Sequence, residues 1–173
     1  MDHMSMKISL ISLSIIILLN VLSSGQNFFM NAEDLNVKDR IEGWNFELST
    51  SGGLTGKGLG GITAGSDGKA TASDGRNNCQ HQLLDEETKE LDRLIRKSNP
   101  ARWRKKYAIP GNPHGYADQV LYTFKLTVKT SKGAQIFETT WYDQSAEKTP
   151  ADLQAIVKQA WKTRDKAIAK CRK

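Results

Sequence analysis

Val120-Leu121-Tyr122-Thr123-Phe124-Lys125-Leu126-Thr127-Val128-Lys129 decides the fold class of this chain. Val120, Tyr122, Phe124, Leu126 and Val128 make one apolar series, while Leu121, Thr123, Lys125, Thr127 and Lys129 make a mixed one. Successive side chains of an extended backbone point to opposite faces, so this two-residue period predicts a strand with one face on a core. Ser131-Lys132-Gly133 supplies a turn, and the return strand sets Phe137, Thr139 and Trp141 on one face. The segment therefore reads as an antiparallel hairpin.

Downstream, Leu153, Ile156, Val157, Ala160, Trp161, Ile168 and Cys171 fall on one stripe of a helix. Thr149 is placed to cap that helix, Pro150 to open it and Asp152 to complete a short-armed capping box. Upstream, Asp85 can cap a second helix with Glu86 and Glu87 in its first turn, Leu91, Leu94 and Ile95 on one face, and Asn99-Pro100 as its stop. Further towards the start, Trp44, Phe46 and Leu48 alternate with Asn45, Glu47 and Ser49, the pattern of a first strand. A second extended segment, diluted by glycine, covers residues 59–64, and residues 70–73 form a short third piece or its continuation. The order ββαββα predicts an α+β fold: a four-stranded antiparallel sheet with two helices packed on one face. Trp44, Trp141 and Trp161 are expected in the core.

The start of the chain reads as a secretory leader over residues 1–25. Lys7 precedes an apolar and small stretch from Ile8 to Leu22, and Ser23, Ser24 and Gly25 close it as a cleavage site, making Gln26 the first mature residue. The apolar run is shorter than the roughly 20 residues that span a bilayer; an uncleaved anchor is the alternative. Removal of the leader leaves 148 of 173 residues (173 − 25), enough for one core. Residues 26–42 then form a flexible lead-in and 43–173 a single domain, secreted or periplasmic and without a membrane segment after cleavage.

Cys79 and Cys171 are the only cysteines, and in an oxidising compartment an even count reads as a disulfide with one possible connectivity. The net charge of +6 comes from 25 basic and 19 acidic residues, which are interspersed. Such dispersal does not lead us to expect nucleic acid as a partner. The one dense run is Arg102, Trp103, Arg104, Lys105 and Lys106, in a long connection that also holds Tyr107, Pro110, Gly111, Pro113 and Tyr116. Aromatic residues beside arginine are the composition of many protein contact surfaces.

Catalytic patterns are not legible. His81 stands two residues from Cys79, but the other half of a four-ligand zinc site is missing from the sequence, and His114 has no partner at metal-binding spacing. Asp85, Glu86 and Glu87 are consecutive and point in different directions on a helix, no GxSxG or GxxxxGK[ST] pattern occurs, and Gly56-Lys57-Gly58 is too short to count as a phosphate-cradling loop. The chain reads as a non-catalytic recognition module needing neither cofactor nor metal.

Phe46-Glu47-Leu48-Ser49-Thr50-Ser51-Gly52-Gly53-Leu54-Thr55-Gly56 resembles the opening of the emfourin-like family, the protealysin-associated inhibitors of thermolysin-like metallopeptidases. The leucine-bearing helix, the hairpin from Tyr122 to Val128 and its return strand, the connection from Asp143 to Pro150 and the terminal helix from Leu153 follow in the same order. The leader, the longer glycine-rich segment, the extended basic connection and the cysteine pair are additions to that pattern. The resemblance implies a secreted inhibitor that inserts a loop into the cleft of a zinc peptidase. On it, Ser51, Gly52, Gly53, Leu54, Thr55 and Gly56 form the inhibitory segment, with Leu54 entering an apolar pocket and the glycines allowing close backbone approach. The other reading is a secreted binding module that uses Arg102, Trp103, Arg104, Lys105 and Lys106 against an anionic polymer or a cell-surface partner.

Overall fold

The apolar series 44, 46, 48 makes the centre of a sheet. A computed structural model describes residues 41–108, 118–143, 145 and 147–172. The leader 1–25, lead-in residues 26–40, and Pro110, Gly111, Pro113, His114 and Tyr116 lie outside the described residues. Strand β1 (Ile41–Gly52) buries Trp44, Phe46 and Leu48 and exposes Asn45 and Glu47. It pairs antiparallel with β2 (Gly61–Gly65) on one side and with the long strand β6 (Val120–Thr130) on the other. Strands β3 (Lys69–Ser73) and β4 (Asn78–Gln82) extend the sheet beyond β2, and β7 (Gly133–Tyr142) extends it beyond β6. A two-residue strand β5 (Lys106–Tyr107) runs parallel to β7 at the far edge, giving the order β4-β3-β2-β1-β6-β7-β5.

Register converts the alternation into a core. Cys79, Ala72, Ile62, Leu48, Phe124 and Thr139 stand opposite one another across six strands, and so do His81, Ala70, Ala64, Phe46, Leu126 and Phe137. Two helices close this face. α1 (Asp85–Lys97) buries Leu91 and Ile95, and α2 (Ala151–Cys171) buries Leu153, Ile156 and Ala160, all in one cluster with Trp44, Phe46 and Phe124. Alanines on β3 leave room for the second half of α2, whose Ala167 and Ile168 form a smaller cluster with Ala72 and Cys79. The opposite face carries the exposed Asn45, Glu47, Lys125, Lys129 and Glu138, as expected of an antiparallel sheet with one wet side. All described elements belong to one unit, Leu35–Lys173.

The α+β class holds, and the hairpin and both helices stand where the periodicities place them. The sheet has seven strands, however, not four, and the element order is ββββαβββα. Strand β4 was hidden because its inward residues are Cys79 and His81 between the polar Asn78, Gln80 and Gln82, so no apolar alternation marks it. Strand β5 was hidden in the basic run, because a two-residue strand is too short to show a period.

Helix ends also differ in detail. Leu84, not Asp85, occupies the position before α1, and the Glu87 carboxylate accepts the Leu84 N–H at 3.2 Å. Pro150 stands immediately before α2, and Thr149 contributes its carbonyl oxygen to Gln154 and not a hydroxyl cap.

Candidate functional site

Ser51 and Gly52 are still strand, opposite Leu121 and Val120. The backbone then turns back on itself: the Gly56 N–H donates to the Gly53 oxygen at 3.0 Å, the Gly52 N–H to the Gly56 oxygen at 3.3 Å, and the Gly58 N–H to the Gly52 oxygen at 2.9 Å. The Gly53 N–H donates to Gln119 at 2.9 Å, fastening the turn to the residue ahead of β6. Gly52, Gly53, Gly56, Gly58 and Gly60 all have positive φ, between 66° and 86°, which explains why the segment is written in glycine. At the tip Leu54 is 96% exposed, and Leu59 is 48% exposed on the return side.

Thr50 organises the return. Its hydroxyl accepts the Leu59 N–H at 2.7 Å and donates to the Gly60 oxygen at 2.7 Å, while its own N–H donates to the same oxygen at 3.1 Å. From α2, Arg164 donates through Nε to the Ser73 oxygen at 2.9 Å and through Nη2 to the Leu59 oxygen. Loop 53–60 is therefore held by β1, by Gln119 ahead of β6 and by α2 together. Sequence reasoning placed Ser51 to Gly56 but missed Thr50 and Arg164. The only local sign of Arg164 is a cation beside the apolar stripe of α2, between the buried Thr163 and Ala167.

The basic run is divided by the fold. Trp103 turns inward, edge-on to Phe124 with ring centres 5.9 Å apart, and donates its indole N–H to Asp152 at 3.2 Å. Tyr107 is buried, and its hydroxyl accepts the Arg104 N–H at 3.0 Å. Arg102, Arg104, Lys105 and Lys106 remain exposed. Arg104 is bound to Glu147 at 3.0 Å, and together with Arg102 and Lys148 these residues line a shallow hollow.

Cys79 and Cys171 are joined, with their Cα atoms 6.2 Å apart. The bridge ties the end of α2 to strand β4. His81 Nε2 lies 3.7 Å from the Glu87 carboxylate, which also accepts from Lys166 Nζ at 2.9 Å. Burial pushes the Glu87 carboxyl up, but the Lys166 ammonium and the Leu84 N–H outweigh it and hold the group below its usual value. No group of three His, Cys, Asp or Glu side chains able to hold a metal occurs among the described residues. No described helix is long and apolar enough to cross a membrane.

No family model, curated protein or solved structure matches the chain.

Proposed function

We propose that the mature chain is a secreted or periplasmic, non-catalytic inhibitor of thermolysin-like zinc metallopeptidases, of the emfourin-like kind, exported by residues 1–25. Ser51, Gly52, Gly53, Leu54, Thr55 and Gly56 enter the peptidase cleft, and Leu54 fills an apolar pocket there. One observation carries the reading: Leu54 stands 96% exposed at the tip of a loop whose backbone hydrogen bonds close on themselves. Burying such a side chain in a partner is worth about 1.5–3 kcal/mol. A loop already ordered in the free protein loses little entropy on binding.

Titrating the mature protein into a panel of thermolysin-like zinc peptidases and reading residual activity tests the proposal. Dose-dependent loss of activity in at least one enzyme is expected. Full activity throughout the panel at micromolar protein contradicts it.

The exposed Arg102, Arg104, Lys105 and Lys106 favour a second reading, a module for an anionic polymer or cell-surface partner. Neutralising all four then weakens binding to the polymer and flattens its salt dependence, because fewer anionic groups are neutralised and fewer counterions are released on binding. The same variant leaves peptidase inhibition unchanged if the loop is the contact.

A further inference from the structure

The two ends of loop 53–60 are held differently. At the near end, Gly52 and Gly53 are continuous with β1 and bonded to the residues that lead into β6. Residues 57–60 precede the β1–β2 ladder, which begins at Gly61; backbone bonds hold them at Gly58 and Gly60, and two side chains complete the hold. One of these is Thr50, a close neighbour in β1. The other is Arg164, over a hundred residues away in sequence, on α2.

We infer that Arg164 is a positioning residue that sets the shape of loop 53–60 from the terminal helix, and thereby the presentation of Leu54. The inference rests on the reading of that loop as the binding segment. Each nitrogen of its guanidinium donates: Nε to the Ser73 oxygen at 2.9 Å, Nη2 to the Leu59 oxygen and Nη1 to Asp165 at 3.0 Å, while its Cζ lies over the Trp161 ring, 4.6 Å from the ring centre. The side chain is only 15% exposed. Two carbonyl oxygens, one at the end of β3 and one in the loop, suit the fixed planar fork of a guanidinium better than the point charge of an ammonium.

The clamp acts on a tightly fitted joint. Gly60 approaches the end of β3 so closely that a β-carbon would stand 2.2 Å from the Ser73 oxygen. The turn after Ser73 is bound to the same helix, since Asp74 accepts the N–H groups of Arg76 and Asn77 and also Arg172 Nη2 at 2.7 Å. The Cys79–Cys171 bridge fixes the last turn of α2 beside these contacts. Arg164 is thus carried by a helix whose own end cannot drift from the sheet.

Backbone amide exchange in the mature protein tests the clamp without any partner. Arg164→Ala should raise exchange at Gly58 and Leu59 about tenfold or more, the loss expected when a charge-assisted hydrogen bond disappears. Arg164→Lys should give a smaller rise. Ile168→Ala, on the same helix, lowers overall stability while leaving Arg164 in place, and it should not change loop exchange relative to the central strands. Loop protection retained in Arg164→Ala overturns the inference, as does an equal relative loosening in Ile168→Ala. Where a peptidase is inhibited by the wild type through Leu54, Arg164→Ala should weaken inhibition; undiminished inhibition from a loosened loop removes the positioning role. If the wild type inhibits no peptidase, the functional reading fails and exchange alone decides the clamp.

Discussion

Gly56 and Gly60 share a left-handed backbone, with φ of 69° and 86°, but differ in what surrounds them. A β-carbon at Gly56 meets nothing within 4 Å, whereas at Gly60 it stands 2.2 Å from the Ser73 oxygen and 2.7 Å from the Gly75 nitrogen. Gly56→Ala should therefore cost only conformational strain, about 1–2 kcal/mol. Gly60→Ala adds a backbone clash and should cost clearly more; urea unfolding of the two variants checks the difference, and equal losses contradict the packing of the loop against β3. Glu87 gives a prediction of another kind. Its carboxyl is held below its usual 4.5 in the fold, so it binds its proton less readily there than in the unfolded chain. The stability it contributes is complete above that value and is lost as the pH falls through the folded value. Glu87→Gln should be less stable than wild type at neutral pH, with the gap narrowing below pH ~4; a gap that stays constant on acidification contradicts the assignment.

At the scale of elements, α2 joins the two halves of the account. Its first turns fill the main core with Leu153 and Ile156, and its last turns reach β3, β4 and the loop. The Cys79–Cys171 bridge closes a sequence separation of 92 residues. Replacing both cysteines by serine should lower stability by about 2–5 kcal/mol, read as a shift of the urea midpoint. An unshifted midpoint contradicts the structural role of the bridge. The parts of this architecture that were legible in the sequence are those where one physical signal dominates. β1, β6 and β7 show a two-residue period because one face is buried and the other wet, and the helices show their stripes for the same reason. β4 defeats that signal, since its inward side chains are Cys79 and His81; β3 matches the short piece at 70–73, which stood open between a third strand and a continuation because its inward side chains are only Ala70 and Ala72. The pairing of Lys106-Tyr107 with β7 is a long-range contact that no local pattern encodes.

For the molecule as a whole, the sheet places a covered face under two helices and a polar face in water, and loop 53–60 projects Leu54 from its tip, with Leu59 half-exposed on the return side. The loop was legible because five glycines with positive φ leave a compositional mark. Its anchors were not, because Thr50 and Arg164 are ordinary residues until folding brings them to the same turn. Trp103 shows the converse: beside arginines it read as a contact residue, yet it packs against Phe124 and bonds Asp152. The inhibition constant of Leu54→Asp against a peptidase that the wild type inhibits tests the central claim most directly. The exposed position of Leu54 leaves the fold indifferent to the change, so unfolding should be unaffected. Inhibition should weaken by roughly a hundredfold or more, since the pocket loses an apolar side chain and meets a charge. Equal inhibition by Leu54→Asp and wild type would place the contact elsewhere on the molecule and contradict the account.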